Sequence, residues 1–307
     1  VKLLALVGPT ASGKTEASLP VARALGAEIV SVDSMVVYRG MDVGTATPTP
    51  AERAAVPHHL IDVADPIARF SVVDYQRLAR AAMEGIEEGG RRPLLVGGSG
   101  LYFRAAVDQL EFPATEAATR TLLEAEAAAA GPEALYRRLE ATDPAAAARI
   151  EPGNVRRTVR ALEVAAVTGR PFSSFAEAWE RYPAGHVRAA GVEVPRPILY
   201  ARIERRVEEM LPGLLEETRA LLDAGFGGFL TATQAIGYLE AAACLRGELD
   251  EAEVAARTVK RTKALARRQL SWFRRDPRVR WFPVGEEGAI GAADAIIGYL
   301  GATEDAT

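Results

Sequence analysis

Apolar residues along this chain follow two patterns. Leu3 to Val7 is an unbroken apolar run of strand length, which predicts a strand buried on both faces. Glu28-Ile29-Val30-Ser31-Val32 and Leu94-Leu95-Val96 read the same way, and Ile198-Leu199-Tyr200 is a fourth short candidate. Elsewhere the spacing is helical. Glu16 to Leu25 predicts a helix stopped by Gly26. Residues 116–130, 132–140 and 154–168 form an Ala- and Glu-rich region punctuated by Pro113, Pro132, Pro144, Pro171 and Pro183. In the last of these helices Asn154 is placed to cap, and Val155, Val159, Leu162 and Ala166 recur at helical spacing as its buried stripe. Further helices are predicted over 202–210, 239–246 and 260–274. Buried strands interleaved with helices predict an α/β fold with a central parallel sheet, its core built from residues 1–112 and 196–307. Residues 113–195 are then a helical insertion.

The chemistry begins where the first strand ends. Gly8-Pro9-Thr10-Ala11-Ser12-Gly13-Lys14-Thr15 fits the phosphate-loop pattern G-x-x-x-x-G-K-[ST], between a strand and a helix as that motif requires. Such glycines let successive N–H groups wrap a phosphate at a helix N-terminus. Lys14 supplies a full charge, and the Thr15 hydroxyl is the candidate ligand for Mg²⁺. The second strand runs into Asp33, which should lie beside the loop because ligands gather at the carboxyl ends of parallel strands. Asp33 is open to three roles: metal ligand, base, or cap of the next turn.

Composition narrows the setting. The chain has 307 residues, enough for one large or two small domains, and 49% are hydrophobic, which excludes a wholly disordered chain. One cysteine, Cys244, excludes an intrachain disulfide framework, and with three histidines it argues against structural zinc. No apolar run reaches the ~18 residues of a membrane span. The apolar start is too short for a signal peptide, so a cytoplasmic protein is expected. Nothing demands more than a monomer. Net charge is −4, yet Val254 to Arg275 carries eight basic residues and no acidic one. Local fields attract phosphate, so a nucleic-acid partner stays open.

Three further blocks separate families of phosphate-loop protein: Asp33 to Ala46, Pro57-His58-His59-Leu60-Ile61-Asp62, and Leu94 to Tyr102 with its Gly97-Gly98-Ser99-Gly100 loop. With the phosphate loop, Thr233-Gln234-Ala235-Ile236-Gly237-Tyr238 and the closing basic segment, they make the chain resemble the tRNA dimethylallyltransferase family over nearly its whole length. The resemblance implies a phosphate-loop NTPase-like core that uses no ATP. Instead, a five-carbon allylic group passes from dimethylallyl diphosphate to N6 of the adenosine 3′ to the anticodon. It implies tRNAs that read codons beginning with U, and an insertion that closes over the anticodon stem-loop.

By the same resemblance, Asp33 is the base, Thr10 lies near the donor's bridging oxygen, and Lys14 and Arg206 contact the diphosphate. On the residues alone, Arg206 suits a phosphate clamp or a plain ion pair. Asp33, Ser34, Met35, Val36 and Ser99 would contact the flipped base region, and Arg120 the tRNA. Arg156, Arg157 and Arg160 suit an RNA backbone, as do Lys260, Arg261, Lys263, Arg267 and Arg268. Val36 stands where the family usually has Gln, and Asn154 and Arg156 where Asp and Gln are commoner. His58 and His59 are expected in structural hydrogen bonds, and Cys244 in packing. Two alternatives use the same loop: a small-molecule kinase, and an RNA-dependent ATPase switch. A kinase would gain nothing from the basic helix. The switch should show a strand ending in Asp with an adjacent carboxylate, where Leu94–Val96 ends in Gly97-Gly98.

Overall fold

A computed structural model describes residues 2–108, 110–175, 179, 181–227, 231–285 and 288–302. In chain order the main elements are β1 (Leu3–Val7), α1 (Lys14–Leu25), β2 (Ala27–Ser31), α2 (Pro50–Ala55), β3 (His58–His59), α3 (Val72–Glu88), β4 (Arg92–Gly97) and α4 (Gly100–Val107). They continue with α5 (Ala117–Ala130), α6 (Pro132–Thr142), α7 (Pro144–Ala147), α8 (Val155–Thr168), β5 (Val187–Glu193), α9 (Arg196–Asp223), α10 (Tyr238–Leu245), α11 (Glu251–Phe273), β6 (Val279–Pro283) and α12 (Ala293–Gly301). Every strand pairing is parallel, in the order β3-β2-β4-β1-β5-β6. No helix among the described residues is long and apolar enough to cross a membrane.

The central strands carry unbroken apolar stretches, Leu3–Val7 in β1 and 94–96 in β4, because helices cover both faces of the sheet. Leu4, Leu6, Ile29, Leu94 and Val96 point to one face, where they join Val21, Leu199, Ile203, Ala266, Ile296 and Leu300. The alternate positions Ala5, Val7, Val30 and Leu95 are buried on the other, and α3 packs there through Tyr75, Ala79 and Met83.

Two expectations are corrected. Ile198-Leu199-Tyr200 is not a strand. It lies in α9, where Pro197 occupies the first turn and Leu199, Ile203, Val207, Leu214, Thr218 and Leu221 make one buried stripe. The strand is Val187–Glu193 instead, poor in bulky residues because Trp281 and Val279 of β6 lie against it. A Cβ on Gly191 would stand 2.7 Å from both side chains. β5 therefore belongs to the core sheet, although it falls inside the range expected for the insertion.

The chain forms two compact units, one of Val1–Asp108 with Pro183–Thr307 and one of Gln109–Tyr182. The second has its own core of Leu123, Leu135, Leu139, Ile150, Val159 and Leu162. On α8 Asn154 caps the first turn, accepting from Arg157 N at 3.2 Å. The buried stripe differs from expectation at its end. Ala166 is exposed, whereas Glu163 is fully buried. Its carboxylate accepts from Arg120 Nη2 (2.6 Å), Arg160 Nη1 (2.9 Å) and the Glu116 amide (3.0 Å). Burial pushes the Glu163 carboxyl up, but these bonds outweigh it and hold the group below the usual range. Its stabilisation is therefore present above the ordinary glutamate pKa and lost as pH falls through the lowered one. Glu163→Ala removes the acceptor shared by Arg120, Arg160 and the Glu116 amide and should cost this unit about 1–3 kcal/mol, read as early urea unfolding and proteolysis within 109–182.

Candidate active site

The phosphate loop turns from β1 into α1 through two left-handed residues, Ala11 (φ 62°) and Gly13 (φ 83°). Ala11 pays a steric cost there that glycine would not, a conformation that persists where surrounding structure enforces it. Gly8 lets the loop pass close to β5, since a Cβ would meet Ser12 Oγ at 3.2 Å and the Val192 carbonyl at 3.3 Å. Ser12 Oγ is buried without a hydrogen-bond partner among the described residues. Lys14 Nζ folds back to donate to the Pro9 carbonyl at 3.1 Å.

Around this loop lies a cleft open to solvent. Its wall includes Thr10, Lys14, Thr15, Asp33, Val36 and Arg206 from the expected site. These come from the ends of β1 and β2 and from α9, which is where a parallel sheet concentrates ligand contacts. Burial lowers the Lys14 ammonium to about 8, nearby Asp33 opposes this, and the Arg206 charge adds to it. Asp33 Oδ1 accepts the Met35 N–H at 2.9 Å, so the turn-capping role is real. Its Oδ2 makes no hydrogen bond to any described residue, which leaves one carboxylate oxygen for the cleft. Tyr75 and Tyr102 stack close by, at 4.1 Å between centroids. Burial raises both phenols, with the Asp33 charge contributing, so both stay protonated.

The other expected residues are dispersed. Ser34 and Met35 are half-buried beyond Asp33. Ser99 is the N-cap of α4, accepting from Tyr102 N at 3.4 Å. On α11, Lys260, Arg267 and Arg268 are exposed. Arg261 is ion-paired with Glu240 at 2.5 Å, and Lys263 is bound to Glu204 over the Tyr200 ring. Arg267 donates to the Tyr200 hydroxyl at 3.1 Å. In the smaller unit Arg156 and Arg157 are exposed, but Arg160 is not on the exposed face as expected. Its guanidinium serves Glu163 and the Pro113 and Ala114 carbonyls, and Arg120 is likewise turned to Glu163. Cys244 is half-buried.

Two further residues stand at the site, of which the sequence reading gave His58 a structural role and did not single out Gln269 as a site residue. His58 makes the structural bond expected of it, Nδ1 donating to the Val56 carbonyl at 2.7 Å, and it also lines the cleft. Burial lowers its pKa, so the ring is neutral with Nε2 as the acceptor. Gln269 accepts the Thr10 N–H at 2.8 Å and ties the phosphate loop to α11. Its signal was present: within the basic run it is, with Thr258, one of two uncharged polar residues on the stripe Val254, Thr258, Ala266, Gln269, Phe273. It also explains Gly98, whose Cβ would stand 2.5 Å from Gln269 Nε2. Gln269→Leu leaves the part-buried Thr10 amide unpaired. It should lower stability by about 1–3 kcal/mol in denaturant titration.

Comparison with known proteins agrees with this geometry. Residues 36–276 match the IPP transferase family and residues 1–67 the isopentenyl transferase family. A tRNA dimethylallyltransferase from Salinispora arenicola is 49% identical over 96% of this chain and 85% of its own length. One from Streptomyces avermitilis is 50% identical over 91% of this chain and 89% of its own. The crystal structure of a tRNA isopentenylpyrophosphate transferase from Bacillus halodurans superposes with a TM-score of 0.69 at 41% identity, covering 98% of this chain and 97% of that one. A eukaryotic dimethylallyltransferase acting on tRNA shares the fold at 22% identity, with a TM-score of 0.76 over 93% of this chain and 74% of that one. A phosphate loop, an aspartate at the end of the next strand and an arginine from a later helix thus share one cleft, on a chain half identical to named enzymes over nearly all its length: it belongs to the tRNA dimethylallyltransferase family.

Proposed function

We propose that this protein transfers a dimethylallyl group from dimethylallyl diphosphate to N6 of the adenosine 3′ to the anticodon, in tRNAs that read codons beginning with U. The observation that carries it is the meeting of Lys14, Thr15, Asp33 and Arg206 in one cleft. A phosphate loop suits the donor's diphosphate as well as a nucleotide's, because its N–H groups recognise phosphate oxygens alone.

The exocyclic amine of adenine is a weak nucleophile, so its proton must leave as the new C–N bond forms. Asp33 is the base. Its Met35 contact fixes the carboxylate, and Oδ2 is left to accept from the amine and align it on the allylic carbon. The C–O bond to diphosphate breaks as this bond forms, and negative charge grows on the leaving group. Lys14, the loop N–H groups and Arg206 stabilise that charge, and Thr10, in the same cleft wall, would hydrogen-bond the bridging oxygen. Mg²⁺ would be held by the Thr15 hydroxyl, which lines the cleft, with diphosphate oxygens, and would neutralise charge there. The target base has to leave its stack to reach Asp33. Val36, buried in the cleft wall, offers an apolar surface where Gln would offer hydrogen bonds. The exposed cations of α11, with Arg156 and Arg157, supply phosphate contacts for the stem-loop. We read the protein as a cytoplasmic monomer.

Product identity separates the alternatives. With an anticodon stem-loop, Mg²⁺ and dimethylallyl diphosphate, and no nucleotide, one diphosphate should be released per RNA. Orthophosphate release from ATP stimulated by the same RNA, with no diphosphate from the allylic donor, would favour the switch.

A further inference from the structure

One wall of the cleft is held from behind by a carboxylate. Glu217 on α9 accepts Asp42 N (2.7 Å) and Val43 N (2.9 Å) at Oε2, and Gly44 N (3.3 Å) at Oε1. The hydroxyl of fully buried Tyr238 donates to the same Oε1 at 2.5 Å. Consecutive N–H groups pointing to one spot form a nest suited to an anion, and here the chain fills the nest with its own carboxylate. Gly44 has to be glycine, because a Cβ would stand 2.5 Å from the Tyr238 ring. Gly213, four residues before Glu217 on α9, lets Val43 approach, with the position of a Cβ 3.3 Å from its side chain.

The far end of the same loop is also fixed. Arg53 of α2 donates to the Pro48 carbonyl at 3.0 Å and to Asp62 at 2.7 Å. Between these anchors Thr45, Ala46 and Pro48 face the cleft, and Ala46 is held in the left-handed region at φ 54°. Val36 and Ile61 add apolar surface to the same cleft wall. Arg206, Gly213 and Glu217 are spaced i, i+7, i+11 and fall on one face of α9. The helix that brings a cation to the cleft therefore also sets the place of its apolar wall.

We propose that Glu217 and Tyr238 are positioning residues that fix loop 42–48 so that its wall seats the five-carbon chain of the donor. This rests on the donor reading of the cleft given under Proposed function. The pair governs the hydrocarbon end of the donor, and the phosphate loop governs the diphosphate end.

Two probes separate the ends: inorganic diphosphate, and isopentyl diphosphate, the saturated ester whose carbon chain cannot form an allylic cation. Glu217→Gln keeps the side chain's size but turns an NH₂ toward groups that are themselves donors. Isopentyl diphosphate should bind about tenfold more weakly to it, inorganic diphosphate as to wild type, and KM for dimethylallyl diphosphate should rise. Equal affinities for both probes, or loss of both by one factor, overturns the proposal, since a merely structural defect does not discriminate between them. Should Glu217→Gln fail to fold, Tyr238→Phe removes one of the four donors, and the same ratio is read at a smaller amplitude. Wild-type protein that binds isopentyl diphosphate no better than inorganic diphosphate would remove the donor reading itself. A normal wild-type preference unchanged in both variants would remove only the clamp.

Discussion

Asp33→Asn is expected to slow transfer to the stem-loop by about a thousandfold at saturating substrates, the loss typical of an essential general base. The substitution is nearly isosteric. Its amide oxygen can still accept the Met35 N–H that Asp33 Oδ1 now accepts at 2.9 Å, so the turn after β2 should survive. What is lost is the oxygen that receives the amine proton. Isopentyl diphosphate should bind the variant at least as well as wild type, because removing the Asp33 charge removes a repulsion with the diphosphate. Rapid-quench measurement of a single turnover separates this from slow product release. A variant that transfers within a fewfold of wild type would leave Asp33 with its turn-capping role alone.

Lys14→Met should have an effect of similar size, through the donor's other end. It removes the one full charge that the phosphate loop itself carries, and about a hundredfold to a thousandfold in rate is typical for such a stabilising group. Lys14 also predicts a pH dependence. In the free protein burial lowers its ammonium to about 8, and a bound diphosphate favours the charged form, so the bound pKa is higher than the free one. Binding is therefore at full strength below about 8 and weakens as pH rises through it, by about tenfold per unit until the bound group titrates. The ester's own last ionisation lies near pH 6, roughly, so it is complete across this window. Isothermal titration of isopentyl diphosphate from pH 7 to 10 should show the slope in wild type and none in Lys14→Met. A flat wild-type profile would contradict the assignment of Lys14 to the diphosphate.

The parts legible in the sequence are those set by local pattern. Leu3–Val7, the glycine loop and Glu16–Leu25 form a contiguous strand–loop–helix whose geometry each residue supports on its own. Asp33 follows from the same logic, as the first polar side chain after a buried strand. The strand at Val187–Glu193 was hidden because its neighbours, not its own bulk, decide it. Trp281 and Val279 fill the space that large β5 side chains would otherwise take. Ile198 and Leu199 looked like a strand only in a short window. Extended over 28 residues the same positions belong to a helical stripe.

The fate of individual cations was still less readable. Arg157 and Arg160 look equivalent along α8, yet a buried glutamate 43 positions from Arg120 and three from Arg160 draws in both of those arginines. The Glu217 nest joins residues 173 to 175 positions apart, so no spacing rule reveals it. Such contacts come from tertiary packing, which sequence pattern constrains only as a whole.

The central claim is the transfer of one allylic group to one base, and mass spectrometry tests it most directly. An unmodified anticodon stem-loop with adenosine 3′ to the anticodon would be incubated with the protein, Mg²⁺ and dimethylallyl diphosphate, without ATP. Nuclease digestion and fragmentation would then locate any added mass. The account predicts a single five-carbon unit on N6 of that adenosine, formed by wild type and lost in Asp33→Asn. Tight binding of the stem-loop with no added five-carbon unit would contradict it.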